Sequence, residues 1–203
     1  MINNSSRILR LFAGAPWKKF TFKEIKRLSK SRSESYVYGV IKNFAKDGVL
    51  QQEKVGNVIQ YSASESQNAI FCLSTASEQH ALQEKHLPHA EIEGLQKIIP
   101  AKLYTLMVTG SYANKKQTPK SDLDMVLICD INAKKLYSEL KHFCEMSIPK
   151  IHLYVFSPVE FEDMLLDKEA NYGKEIAKNN LVIAGAEAYF RIVMEAVKNG
   201  FIG

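Results

Sequence analysis

The sequence predicts an α+β chain of two domains: a small helical module closed by a β-hairpin, then a small mixed β-sheet flanked by helices. Charge is the first reason. Residues 1–62 hold 12 Lys and Arg against 4 Asp and Glu, whereas the rest hold 15 against 18, so the net +5 comes wholly from the first third. Such asymmetry marks a nucleic-acid-binding part joined to a part with another task; a merely soluble basic surface is the plainer alternative. The second reason is a pair of near-continuous apolar runs, Leu103–Val108 and Met125–Cys129, of the kind expected for strands covered on both faces.

A length of 203 residues exceeds the commonest single-domain size, and 46% apolar residues suffice for packed cores. The apolar runs are too short to cross a bilayer, so no membrane partner is expected. The start, Met-Ile-Asn-Asn-Ser-Ser-Arg, lacks a charged-then-apolar leader pattern. Cys72, Cys129 and Cys144 form no Cys-x-x-Cys pair. Reduced thiols in a cytoplasmic protein are the simplest reading.

In the first domain, residues 1–62, Ile8, Leu9, Leu11 and Phe12 lay an apolar stripe on a helix that ends near Gly14-Ala15-Pro16. Trp17–Phe20 reads as a short extended piece. Thr21 and Glu24 form a capping box that opens a second helix burying Ile25 and Leu28. After the polar break Ser29–Ser33, Val37, Val40, Ile41 and Phe44 recur at helical spacing, and Gly48 stops that helix. Two strand-like runs follow around Val55-Gly56-Asn57, a hairpin signal.

Three helices and a hairpin in about 60 residues resemble the winged helix-turn-helix of prokaryotic transcription regulators; the segment Val40–Leu50 carries the likeness most strongly. The resemblance implies double-stranded DNA as a partner and a role in transcription regulation. Ser33, Ser35, Tyr36, Tyr38 and Lys42 would face base edges, Arg32 and Lys30 would sit near phosphates, and Lys54 and Asn57 would serve on the wing. A homodimer on paired half-sites is a further expectation. Winged helices also act as pure protein-interaction modules, which is the competing reading.

Residues 63–88 are rich in Ser, Gln and Ala and read as a connector. Ile70, Phe71, Leu73 and Leu82 suggest a helix that packs on either domain or on a second subunit. His80, His86 and His89 fit no metal-ligand spacing. Residues 89–203 form the second domain, opening with an amphipathic helix through Ile92, Leu95, Ile98 and Ile99.

The run Leu103–Val108 ends in Thr109-Gly110-Ser111, and ten residues separate Ser111 from Asp122-Leu123-Asp124. On a strand the two aspartates share a face while Leu123 and Met125 point inward. Two such carboxylates suit Mg²⁺ bridging nucleotide phosphates in an in-line displacement. Gly110 lets phosphate approach closely, Ser111 donates hydrogen bonds, and Lys115, Lys116 and Lys120 bring positive charge.

Thr109-Gly110-Ser111-Tyr112-Ala113 followed by Ser121-Asp122-Leu123-Asp124-Met125-Val126 resembles the signature of the DNA polymerase beta-type nucleotidyltransferases, especially small prokaryotic members. The resemblance implies a nucleotidyltransferase fold over roughly residues 90–200, ATP or another NTP at Gly110, Ser111 and Lys120, and Mg²⁺ on Asp122 and Asp124. Later segments agree: a helix after Asn132, an alternating strand Ile151–Phe156, a helix opened by Ser157-Pro158, a short apolar piece Leu181–Gly185 and a closing helix. One departure stands out. The family's third carboxylate is missing from Lys150–Phe156, where His152 and Tyr154 are found. His152 is therefore a candidate base, and a weakened or silent site is the alternative. Two functions follow. One is a DNA-binding regulator whose second domain binds Mg-NTP as sensor or weak enzyme. The other is an active transferase of NMP to a protein, RNA or small-molecule acceptor, of antitoxin-like or antibiotic-modifying type. A pure interaction scaffold is a third reading.

Overall fold

The computed structural model describes residues 4–203. Its first elements are α1 (Asn4–Ala13), β1 (Phe20–Thr21), α2 (Phe22–Leu28), α3 (Glu34–Lys46), β2 (Leu50–Val55) and β3 (Val58–Ala63). The three strands form an antiparallel sheet in the order β1-β3-β2. Local chemistry sets the boundaries. The Thr21 amide donates to Glu24 Oε2 at 2.7 Å while the Glu24 amide donates to Thr21 Oγ1, so the capping box opens α2. Ser33 caps α3, its hydroxyl accepting from the Tyr36 amide at 3.2 Å. Val37 and Ile41 are buried, with Val40 and Phe44 packed against them.

Leu28 departs from expectation and is 43% exposed. It is the last residue of α2, so no further turn covers it, and it lines a cleft with Arg7 and Arg10.

The connector folds into α4 (Gln67–Gln83), capped by Ser66, whose hydroxyl accepts from the Ala69 amide at 3.0 Å. Ala69, Ile70, Leu73, Ala76 and Ala81 are buried where α4 packs against α1 on one side and the C-terminal elements on the other. Phe71 and Leu82, expected to share in this packing, are exposed. Each follows a buried neighbour, Ile70 or Ala81, and so lies about 100° further around the helix.

The remaining elements are α5 (His89–Ile98), β4 (Thr105–Val108), α6 (Gly110–Ala113), β5 (Leu123–Ile128), α7 (Ala133–Met146), β6 (Ile151–Phe156), α8 (Pro158–Leu166), α9 (Tyr172–Lys178), β7 (Leu181–Ala184) and α10 (Ala186–Lys198). Their sheet runs β6-β5-β4-β7, with β4 antiparallel to both neighbours and β5 parallel to β6. It is a mixed sheet flanked by helices. Leu103 is 89% exposed and lies before the strand it was expected to begin. Pairing starts only at Thr105, opposite Ile128, so the residues ahead of it have no ladder to join.

Alternation divides the side chains between two layers. Leu106, Val108, Leu123, Met125 and Leu127 pack with Ile92, Leu95, Leu136 and Leu140. Met107, Val126, Ile128 and Val182 face Phe161, Ile176, Tyr189 and Phe190. The second core continues through Ala69 and Leu73 to Ile8, Phe12 and Ile25, so the N-terminal module and the sheet share one apolar interior. Among the described residues no helix is long and apolar enough to cross a membrane.

Candidate functional site

The ends of β4 and β5 are tied together where the chain turns into α6. The Thr109 amide donates to the Asp124 carbonyl at 2.9 Å, and the Thr109 hydroxyl donates to the Asn179 carbonyl at 2.9 Å. The Asn179 side-chain amide donates to the Gly110 carbonyl at 3.2 Å, which brings the end of α9 to the same corner. Gly110 has φ 65°, a left-handed conformation that glycine adopts without steric cost. A Cβ built on it would fall well inside van der Waals contact of Asp124 Oδ2. The aspartate carboxylate and the bare α-carbon therefore face each other directly.

Leu123 is fully buried, and the side chains on either side of it, Asp122 and Asp124, are 42% and 29% exposed. Parallel pairing sets Asp124 opposite His152. The imidazole reaches both carboxylates, with Nε2 3.3 Å from Asp122 Oδ2 and Nδ1 3.6 Å from Asp124 Oδ1. Only the shorter approach lies near hydrogen-bond range. Burial pushes the Asp124 carboxyl above the usual Asp range; His152 opposes that shift and the Asp122 charge adds to it.

A cavity of about 400 Å³ opens over Gly110 and Asp124. Thr109, Asn114, Tyr154, Tyr172, Glu175, Lys178 and Asn179 complete its wall. The Tyr154 and Tyr172 rings lie 4.8 Å apart at 54°. Burial, together with Tyr154 and nearby carboxylates, raises the Tyr172 phenol above its ordinary value.

Of the residues singled out in the sequence, Gly110 and Asp124 line this cavity, with Asp122 and His152 grouped beside Asp124. Ser111 lies in the first turn of α6, half-buried and outside the wall. Lys120 is exposed in the following loop. Lys115 is bound 2.7 Å from Glu84 Oε2, and the cation on the cavity wall is Lys178. Sequence reasoning overlooked α9 and with it Tyr172, Glu175 and Lys178. One local signal was available: Asn171 Oδ1 accepts from the Lys174 amide at 3.1 Å, an Asn cap that starts a helix. Glu160 accepts from the Ser157 amide at 2.7 Å in a second capping box and is thereby occupied at the start of α8.

Among the described residues no group of three or more His, Cys, Asp or Glu side chains is arranged to hold a metal ion by itself. Asp122 and Asp124 nevertheless offer oxygen donors grouped at the start of β5, and the missing Cβ of Gly110 leaves the room that the Asp124 carboxylate takes up. That set fits Mg²⁺, which binds through one or two carboxylates and takes its other ligands from phosphate and water.

In the N-terminal module, Ser35, Tyr38 and Lys42 fall at i, i+3 and i+7 on the exposed face of α3. Arg32, Lys54 and Asn57 are exposed as well. Tyr36 turns elsewhere: with Arg32 and Ser33 it lines a cleft against Arg7 of α1.

No curated protein matches this chain. A solved structure described as the crystal structure of the toxin-antitoxin with AMP-PNP is similar in part, with 13% identity over 56% of this chain and 86% of that one and a TM-score of 0.40. A family model, the nucleotidyltransferase domain, matches residues 92–191, the span that holds β4, Gly110, Asp122, Asp124 and His152. The chain carries a nucleotidyltransferase domain at residues 92–191.

Proposed function

We propose that the C-terminal domain, residues 89–203, binds a magnesium nucleoside triphosphate at the Gly110–Asp124 cavity, and that residues 1–62 are a winged helix-turn-helix that binds duplex DNA. The protein on this reading is a DNA-binding regulator that senses nucleotide or transfers it slowly. The observation that carries it is the Asp124 carboxylate set directly over the side-chain-free Gly110.

Gly110 admits the phosphates, Lys178 neutralises part of their charge, and the Tyr154–Tyr172 pair gives the nucleoside an aromatic wall. Asp122 and Asp124 would hold Mg²⁺, which when bound withdraws charge from the phosphate oxygens. His152 is placed to accept the proton of an acceptor hydroxyl as its oxygen attacks the α-phosphorus and the bond to pyrophosphate breaks. Slow transfer follows from the register: a neutral or cationic ring, not a third carboxylate, stands opposite Asp124. The same ring, within reach of both aspartates, favours the second reading, an active transferase acting on a protein, RNA or small-molecule acceptor.

Three helices with an antiparallel hairpin, an excess charge of +8 and the Ser35–Tyr38–Lys42 face support the DNA half.

Calorimetric titration of Mg-ATP into wild type and Asp122→Asn tests the nucleotide half. Wild type should bind and the variant should lose most of the heat; equal binding would remove the aspartates from the site. Labelling of an acceptor by α-labelled ATP, lost in Asp122→Asn with Asp124→Asn, selects the active transferase. Duplex affinity that falls steeply with salt and depends on Lys42 supports the DNA half, and its absence at low salt sinks that half alone.

A further inference from the structure

A second concave feature lies far from the nucleotide cavity in sequence. Between α1 and the Ser29–Ser33 turn, two adjoining cavities of about 490 and 430 Å³ share Arg7, Ser29 and Lys30. A smaller one of about 120 Å³ continues from Arg10 and His80 to Asn180 and Leu181 at the start of β7. Together they form one trough.

Its charged wall is cationic: Arg7, Arg10, Lys30 and Arg32. Among the described residues none of these four side chains makes an ion pair or a hydrogen bond. Arg7 and Arg10 sit three residues apart on one face of α1. Burial, and then the Arg7 charge, press the Arg10 guanidinium below its ordinary value, with Glu84 opposing. Lys30 adds a backbone observation. It has φ 52° just beyond the end of α2, where glycine is the usual residue because a Cβ is disfavoured there. Lys30 bears that backbone cost while its side chain lines both of the larger cavities.

Four like charges with Glu84 as the one carboxylate acting on them, and that one already shared with His80, His86 and Lys115, repel one another until an anion enters. The shape narrows the choice of anion. Duplex DNA is met by a protruding helix, and Ser35, Tyr38 and Lys42 of α3 are not among the residues that line the trough. A recessed cationic groove with an aromatic in its wall, here Tyr36, suits a flexible strand whose backbone follows the charges while a base stacks.

We propose that this trough binds single-stranded nucleic acid, its phosphates on Arg7, Arg10, Lys30 and Arg32 and a base against Tyr36. Its inner end adjoins His80, which lies 3.2 Å from Glu84, and Glu84 in turn holds Lys115 in the loop after α6. A strand seated here therefore ends beside the nucleotidyltransferase domain. The inference stands whether or not that domain is active.

Fluorescence anisotropy of a labelled oligo-dT of about 12 nucleotides, within the usual span of one single-strand site, tests it on the full chain. Wild type should bind with an affinity that falls with salt, by a slope of about 0.7 per cation engaged. Arg7→Gln with Arg10→Gln should weaken binding at least tenfold and flatten the slope. Lys30→Gly should weaken binding severalfold while raising Tm, because glycine relieves the left-handed backbone; an affinity loss caused by unfolding would move Tm the other way. Lys42→Ala should leave oligo-dT affinity unchanged. Failure of wild type to bind, or unchanged affinity in the trough variants, overturns the proposal. So does equal competition by duplex DNA, or by inorganic tripolyphosphate at matched phosphate, which would assign the trough to duplex or to free polyphosphate.

Discussion

The α-carbon of Gly110 lies so close beneath the Asp124 carboxylate that no side-chain atom fits between them. A separation of 14 residues does not by itself bring this about; the Thr109 amide on the Asp124 carbonyl, at 2.9 Å, does. The contact joins the turn after β4 to the first residues of β5, and the cavity lined by Gly110 and Asp124 opens over it.

Gly110→Ala should therefore cost both fold and function. Left-handed backbone strain and the clash with Asp124 together predict about 2–4 kcal/mol of destabilisation. Thermal melts and Mg-ATP titration measure the two losses. In an Asp124→Ala background the clash is gone and only the backbone strain remains, so the cost of the glycine substitution should shrink to about 1 kcal/mol. An unchanged cost in that background would show that Asp124 is not the obstacle.

Asp124→Asn should make the protein more stable while it abolishes Mg-nucleotide binding. The Asp124 carboxyl is raised above its ordinary value, first by burial. A raised folded-state value means that this group's stabilisation is complete below the unfolded value and is lost as pH rises through the folded one. At neutral pH wild type thus carries a deficit that asparagine lacks. Tm should rise by about 1–3 °C at pH 7, and the gain should vanish below pH ~4. A variant melting below wild type at neutral pH would contradict this.

His152→Asp restores a third carboxylate opposite Asp124. Without a divalent cation, three crowded carboxylates should lower Tm by about 2–4 °C, the effect of ~1 kcal/mol in a chain of this size. Adding Mn²⁺ or Mg²⁺ should recover that loss and bind at least tenfold more tightly than in wild type. If added cation left the variant's Tm where it was, position 152 would not reach the metal.

Glu84→Gln should loosen the joint between α4 and the loop after α6. Glu84 is approached by His80 and His86 at 3.2 Å each and by Lys115 at 2.7 Å. Burial raises its carboxyl, but the Lys115 hydrogen bond and the charges of His80, Lys115 and His86 outweigh that, so the net shift is downward. A lowered carboxyl stabilises above its unfolded value and loses that contribution as pH falls through the folded one. The substitution should cost about 1–3 kcal/mol near pH 7, with the gap to wild type closing below pH ~4. Denaturant unfolding across that pH range measures it.

What the sequence by itself determined is whatever a few neighbouring residues decide. Thr21 with Glu24 and Ser33 with Tyr36 set helix starts, Gly48 and Gly56 set turns, and strict alternation put Asp122 and Asp124 on one side of β5 with Leu123 buried between them. Those outcomes depend on periods of 2 and 3.6 residues and on hydrogen bonds spanning three or four, all legible in one stretch of chain. Tertiary structure decided the rest. No local pattern says that β6 pairs with β5 in the register that sets His152 against Asp124, or that α9 brings Tyr172 and Lys178 to Gly110 across some 60 residues. Nor does one say that Glu84 will hold Lys115, or that α4 will bury one stripe between α1 and the C-terminal elements while leaving Phe71 and Leu82 in solvent. Such contacts are selected by how whole layers bury their apolar faces against one another, a condition spread over the entire chain.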